Sequence, residues 1–456
     1  MNIRKSFKLI LLIVIFVILA SMISGCKSGT DDSIEIDEFM QAYNTYSSYK
    51  YSGSILVAKG DRIIHNKGYE MSDYENNVMN TIETAFPIGS ITKSFTATAI
   101  LQLHERGKLN LEDTVSKFIE DNNRGDDVTI HQLLTHTAGI AREGKLSGSR
   151  EITLDENVKF ISNQRLLFEP GEDFSYSNAG YILLASIIEK VSGQSYSEYL
   201  EKNIFEPLSM KSTWCGNDSS YSENQALGYR RTTGDPSRLF IYNFSMIIGS
   251  GNIYSTSEDL YKYVQGLNDG ILLSQESIEM MYTPHYGDSN NGYGYGWEVW
   301  KMNENRAVSH GGNIGGGGYS SYLLQYPDED LIFVFLTNND DTTALDAVSK
   351  SIEAIMFEDD YVIPEDSDSK KIEVELLKEY AGDYSFNNVL LSITYNDGKL
   401  YSTADDGNIY ELLPLNESTF LYEDHQWIRG KFVNEDGDIK YILQNINNIF
   451  EFKKVK

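Results

Sequence analysis

At 456 residues, with 41% hydrophobic residues and only 8 prolines, the chain can bury a large core and a second, smaller domain, which excludes wholesale disorder. Its 38 Lys and Arg against 67 Asp and Glu leave a formal net charge of −29, a surface that repels phosphates and excludes a nucleic-acid binder. Two cysteines, Cys26 and Cys215, are too few for a cysteine zinc site or a disulfide framework, so chemistry must come from other side chains.

The chain opens with Arg4, Lys5 and Lys8, passes through an apolar run over residues 9–20 and reaches Ile23-Ser24-Gly25-Cys26. Basic, then apolar, then small is the order of a secretory signal. As a helix, residues 9–23 would span about 22 Å, short for a membrane crossing. The Ile-Ser-Gly-Cys ending resembles the lipobox of bacterial lipoproteins, which implies a signal over residues 1–25, cleavage before Cys26 and a diacylglycerol on its thiol. An uncleaved short anchor is the alternative. Both place the rest of the chain at the outer face of the membrane, with residues 26–35 as an anchor linker.

An amphipathic helix is expected near residues 36–46. Strands over 53–58 and 62–69 follow, joined as a hairpin by Lys59-Gly60-Asp61. The middle reads as helices at 92–106, 130–135 and 179–191, the first closed by Gly107 and the last by Ser192-Gly193. Ser255 and Glu258 have the spacing of a capping box opening another helix. Strand character returns at 293–300 and becomes dense over 319–336, where Pro327-Asp328-Glu329-Asp330 separates two apolar runs that should pair. A helix over 343–357 closes this part, and the whole predicts α+β rather than repeated βαβ units. Residues 358–371 are acidic and lack an apolar period, as a linker does. Beyond them, short alternating runs are broken by Asn396-Asp397-Gly398, Asp405-Asp406-Gly407 and Glu435-Asp436-Gly437, which predicts a small antiparallel barrel or meander over 372–456.

Three short patterns carry chemistry. In Ser90-Ile91-Thr92-Lys93, at the start of a predicted helix, the amine of Lys93 lies on the same face as the Ser90 hydroxyl, and free N–H groups at the helix start can stabilise an oxyanion. Ser-x-x-Lys recurs at Ser47/Lys50 and Ser367/Lys370, where solvated residues explain it. Tyr176-Ser177-Asn178 puts a phenol and an amide at a helix entrance, and Tyr74-x-Asn76 matches the same pattern. His310-Gly311-Gly312 precedes the dense strands, where glycine lets a backbone or ligand approach. No Lys-Ser/Thr follows it, which excludes a phosphate cradle. His285-x-Gly287 is its counterpart elsewhere. The remaining histidines, His65, His104, His131, His136 and His425, form no His-Glu-x-x-His or comparable cluster, so neither a metal nor a cofactor is expected.

The order of these three patterns, with Leu133-Leu134-Thr135-His136-Thr137-Ala138-Gly139, Phe168-Glu169-Pro170-Gly171, Ile204-Phe205-Glu206-Pro207-Leu208 and Gly251-Asn252-Ile253-Tyr254-Ser255-Thr256, resembles the serine β-lactamase and penicillin-binding protein superfamily. The closest likeness is to its branch of class C β-lactamases, D-Ala-D-Ala carboxypeptidases, D-aminopeptidases and esterases. The resemblance implies a β-lactamase/transpeptidase-like fold over residues 36–357 and a small all-β domain after it. It also implies Ser90 as acylated nucleophile, Lys93 as its proton acceptor, Tyr176 as proton shuttle and Asn178 as the group that orients Lys93 and the substrate. Backbone N–H groups of Ser90 and Asn313 would form the oxyanion hole, and Gly311 and Gly312 would border the substrate. Many relatives have Lys-Thr-Gly where this chain has His310-Gly311-Gly312. An imidazole is positive near neutrality only when protonated, which bears on recognition of a substrate carboxylate. The expected substrates are D-amino-acid-containing peptides, among them cell-wall peptides, or related amides and esters, with weak β-lactam reactivity. A binding-only receptor or sensor of such peptides is the alternative.

Overall fold

Residues 55–58, Ile-Leu-Val-Ala, form an unbroken apolar run, as a strand covered on both faces does. The computed structural model describes residues 29–455, apart from 48, 121–122, 144–150, 217–223, 231–234, 240–242, 289, 303–304, 360, 362, 365–371, 388, 404–406, 415, 423–424, 436–437 and 446–447. In it, eight strands form one antiparallel sheet: β1 (Gly53–Lys59), β2 (Arg62–Tyr69), β3 (Tyr286–Asp288), β4 (Asn291–Tyr293), β5 (Glu298–Met302), β6 (Asn305–Ile314), β7 (Tyr319–Tyr326) and β8 (Leu331–Thr337). Their spatial order is β3-β4-β5-β6-β7-β8-β1-β2. The expected hairpins β1–β2 and β7–β8 are both present, and the first closes onto the second through β1 and β8, in register from Gly53 opposite Thr337 to Lys59 opposite Leu331.

Alternation along these strands divides the core in two. Ile55, Val57, Phe333 and Phe335 face the helices α1 (Gly29–Tyr46) and α6 (Thr343–Met356). Leu56, Ala58, Val334 and Leu336 join the larger core on the other face, which includes α2 (Thr92–Glu105), α3 (Ile130–Leu134), α4 (Asn178–Ser192) and α5 (Ser257–Asn268). Ile36, Phe39, Met40 and Tyr43 form the buried stripe of α1 at helical spacing. That helix starts at Gly29, inside the stretch expected to be an anchor linker. The signal, with Cys26, lies outside the described residues, as does most of the predicted linker.

Two local expectations change. The predicted strand over 293–300 breaks between β4 and β5, because the chain turns at Gly296 (φ 76°) to bury Trp297. A Cβ on Gly296 would stand 2.8 Å from the Lys93 carbonyl oxygen, so the turn packs directly on α2. The cap of α5 is Thr256, whose hydroxyl accepts from Asp259 N at 3.3 Å. Ser255 ends a short strand and its hydroxyl is bound to Thr213 at 2.8 Å instead.

After α7 (Val374–Tyr380), eight further strands follow in chain order: β9 (Gly382–Phe386), β10 (Val389–Asn396), β11 (Lys399–Thr403), β12 (Ile409–Pro414), β13 (Thr419–Tyr422), β14 (His425–Glu435), β15 (Asp438–Asn445) and β16 (Asn448–Lys454). They form a closed antiparallel barrel, sealed where Tyr384 of β9 meets Lys454 of β16. Asp397 and Gly398, both with positive φ, make the two-residue turn that joins β10 to β11. Tyr384, Ile393, Phe420, Phe432, Tyr441 and Phe452 fill the interior, and α6 of the larger domain touches β14.

The segment that carries Ser90 is held from two sides. Ile88 N donates to the Ile253 carbonyl at 2.9 Å, and the Ser321 hydroxyl of β7 donates to the Ile88 carbonyl at 2.9 Å. The second contact exists because Gly312 has no side chain: a Cβ there would lie 2.1 Å from the Ile88 oxygen and 2.3 Å from the Ser321 hydroxyl. Gly312→Ala should therefore force β6 away from this segment and cost about 1–3 kcal/mol, the usual range for overpacking, read as a lower denaturant midpoint at an unchanged m-value. Unaltered stability would show that the segment yields freely.

Candidate active site

Ser90 occupies a single 3₁₀ turn, Gly89–Ile91, directly ahead of α2 rather than within its first turn. Gly89 adopts φ 50° there, and a Cβ on it would lie 3.0 Å from the Asn313 backbone nitrogen, which brings the Ser90 turn against the upper end of β6. Lys93, one turn on, is fully buried, an unusual state for a lysine. Its Nζ donates to Ser90 Oγ at 3.1 Å, to Asn178 Oδ1 at 2.7 Å and to the Ser250 carbonyl at 2.8 Å. Two of these partners, an amide oxygen and a peptide oxygen, can only accept. They hold two N–H groups, so the third tetrahedral position of Nζ faces the Ser90 hydroxyl, as an N–H when protonated and as the lone pair when neutral.

Burial drives the Lys93 amine well below the usual lysine range; the Arg142 guanidinium adds to this and the Glu143 carboxylate opposes it. Tyr176 lines the same cleft as Ser90, and burial raises its phenol well above the usual value, with the neighbouring Ser90 hydroxyl opposing that shift. The phenol therefore stays protonated at neutral pH. Asn178 opens α4, where the hydroxyl of Ser177 caps the helix by accepting from Gly180 N at 3.0 Å. The Asn178 amide donates in turn to Glu143 Oε1 at 3.1 Å, which turns its oxygen toward Lys93.

Ser90, Lys93, Tyr176 and Asn178 thus come together. His310 and Asn313 enter from β6. His310 is buried, which favours the neutral imidazole. Its Nδ1 is 2.7 Å from the Gly311 carbonyl, which can only accept, so Nδ1 carries the proton and Nε2 accepts from the Tyr293 hydroxyl at 3.1 Å. Burial first, then the nearby Lys93, push the imidazole down to about 3, against the opposing bond to Gly311. The two glycines separate as well: Gly312 accommodates the Ile88 backbone, whereas a Cβ on Gly311 would meet nothing closer than 4.0 Å.

These residues line a cleft of about 690 Å³. One wall carries Arg142, whose guanidinium lies 5.1 Å from the centre of the Tyr176 ring; the far wall is α6, with Asp346, Lys350 and Glu353. Sequence reasoning missed Ser250, because a backbone carbonyl leaves no residue signature. It also missed Arg142 and Glu143, which sit just past the quoted Thr135 to Gly139 motif and become site residues only because the Arg142 carbonyl accepts from Asn178 N at 2.8 Å.

Residues 36–353 match the Beta-lactamase family. The chain belongs to that family. It is 30% identical over 402 residues to Penicillin-binding protein 4* of Bacillus subtilis, covering 82% of this chain and 88% of that one. The octameric penicillin-binding protein homologue from Pyrococcus abyssi superimposes with a TM-score of 0.63 at 28% identity, over 88% of this chain and 95% of that one. A penicillin-binding protein from Bacillus halodurans gives 0.62 at 29% identity, over 70% of this chain and 98% of that one. The fold is that of β-lactamases and transpeptidases, with an eight-stranded antiparallel barrel after it. Where the sequence resemblance implies Lys-Thr-Gly in many relatives, this chain places a buried His310.

The His310 state has a measurable consequence. An imidazole of ordinary pKa in the unfolded chain, about 6.5, and of about 3 when folded adds stability that is complete above pH 6.5 and is lost as pH falls toward 3. His310→Gln should lose about 3 kcal/mol less stability than the parent between pH 7 and pH 4, by denaturant titration at each pH. An identical loss in both proteins would mean that His310 is charged in the folded state.

Proposed function

We propose that the chain is a serine hydrolase that works through an acyl-enzyme at Ser90 on D-amino-acid-containing peptides or related amides and esters. The observation that carries this reading is the lone-pair position of a buried, pKa-depressed Lys93 aimed at the Ser90 hydroxyl. Of the two candidate bases, the amine is pushed toward neutrality and the phenol away from phenolate, so Lys93 takes the Ser90 proton as Oγ bonds to the acyl carbon. The carbonyl electrons move onto oxygen, stabilised by the backbone N–H groups of Ser90 and Asn313. Tyr176, beside Ser90 in the cleft and with Lys93 Nζ 4.8 Å from the centre of its ring, relays the proton to the leaving amine or alkoxide as the tetrahedral intermediate collapses. In deacylation the same groups run in reverse, with water in place of the leaving group.

Penicillin-binding relatives support a peptide or amide substrate, and Lys93 bonds to both Ser90 and Asn178 while Ser90, Tyr176, His310 and Asn313 line one cleft, which favours turnover over binding alone. Export and a lipid anchor at Cys26, on the outer face of the cell membrane, belong to the same proposal and rest on the order of the N-terminal residues.

Exposure to a fluorescent penicillin and a panel of activated D-aminoacyl esters should leave one acyl adduct, located by mass spectrometry on Ser90. Ser90→Ala should abolish it. The acylation rate should rise with pH through the depressed Lys93 value, and Lys93→Arg, charged at every accessible pH, should lower it about 10²–10⁴-fold. Undiminished labelling of Ser90→Ala would remove Ser90 as nucleophile.

For the anchor, Cys26→Ser should abolish incorporation of a radiolabelled fatty acid and leave either uncleaved precursor or protein released from the membrane fraction. A parent protein that carries no lipid at Cys26 would overturn that part of the proposal.

A further inference from the structure

Tyr176 is anchored by a residue outside the three sequence patterns. His136 follows α3, and its main chain and side chain grip the segment on both sides of the phenol. The His136 carbonyl accepts from Ser175 N at 3.0 Å, and His136 Nδ1 accepts from Ser177 N at 3.0 Å. Tyr176 lies between these two bonds. The imidazole also lies under the phenol, with ring centres 4.4 Å apart at 41°, and Tyr293, Tyr181 and Phe174 enclose its other sides at 4.7, 5.1 and 5.8 Å.

Two costs converge on this residue. His136 has a left-handed backbone, φ 62°, which disfavours residues with a Cβ. Because Nδ1 accepts from a peptide N–H, the neutral ring must carry its proton on Nε2, and that buried Nε2 has no hydrogen-bond partner among the described residues. A strained conformation and an unmade hydrogen bond on one buried side chain persist where the surrounding structure depends on them. What depends on His136 is the path of residues 175–177.

We infer that His136 is the positioning residue for Tyr176: by accepting from the peptide groups on either side, it fixes the direction in which the phenol leaves the backbone and so holds it in the cleft beside Ser90. This rests on the acyl-enzyme reading. It adds a specific requirement: an acceptor at the Nδ1 position on a residue that tolerates positive φ. Asparagine meets both conditions, since its Oδ1 stands as many bonds from Cα as Nδ1 does and asparagine enters the left-handed region more readily than most residues. Alanine meets neither.

Single-turnover acylation by a D-aminoacyl amide or alkyl ester, whose leaving group needs a proton, tests this in the full chain, with limiting rate and half-saturation measured separately for the parent, His136→Asn, His136→Ala and Ser90→Ala. His136→Asn should stay within tenfold of the parent. His136→Ala should fall more than tenfold in limiting rate at a half-saturation within threefold, because Tyr176 acts after substrate is bound. A smaller fall in His136→Ala, or an equal fall in both variants, overturns the assignment. Should His136→Ala not fold, His136→Asn alone decides: retention within tenfold supports the assignment and a greater loss overturns it. A parent that forms no Ser90-dependent adduct overturns the acyl-enzyme reading itself, and the role of His136 falls with it. The parent and Ser90→Ala measurements reveal that case without reference to either His136 variant.

Discussion

The burial of one ammonium group organises this molecule. An isolated lysine charge out of water costs several kcal/mol, and Lys93 sits where none of its surface is exposed. The cost is offset by three oxygens drawn from separate parts of the chain: the Ser90 hydroxyl before α2, the Asn178 amide at the start of α4, and the Ser250 carbonyl ahead of the short strand that also holds Ile88. Each must arrive correctly for the lysine to be tolerated, and their arrival is also what aims Nζ at Ser90. The residual cost appears as a depressed pKa, the property a proton acceptor at neutral pH needs. Stability and reactivity therefore have a single origin here.

What was legible in the sequence followed from how far each feature reaches. Ser90 and Lys93 are three residues apart on one helix, and Tyr176 and Asn178 share one turn, so local spacing reports them directly. The hairpins were visible for the same reason, as apolar runs around Gly60 and around Pro327 to Asp330. Other features depend on distant partners. Nothing near His310 reveals that Tyr293 and the Gly311 carbonyl occupy both ring nitrogens, so its protonation state could not be read from the motif. Residues 293–300 look continuous as a strand, yet Gly296 turns because α2 lies against it. Turn spacing pointed to a C-terminal barrel or meander, whereas the pairing of its first strand with its last, which decides for the barrel, depends on residues far apart in the chain. His136 was readable as part of a motif, but its value lies in two bonds to residues some forty positions away.

The charge pattern changes between surface and site. The exterior is strongly acidic, whereas the first charges met beside Ser90 are the positive Arg142 and the buried Lys93, with Glu143 joined to both through Asn178 and through an ion pair at 3.6 Å. Arg142 and Glu143 pull the Lys93 pKa in opposite directions. Their balance on a neighbouring loop can adjust the base without altering a contact of Nζ itself. A buried neutral His310 leaves that balance undisturbed through the physiological range.

Helix α6 has a position whose consequence is mechanical. It buries one face on the sheet, offers Asp346, Lys350 and Glu353 to the cleft, and touches β14 of the barrel. A single rigid rod is thus shared by substrate pocket and appended domain. Any shift of the barrel against the sheet must therefore be taken up at α6, the same helix that forms the far wall of the pocket.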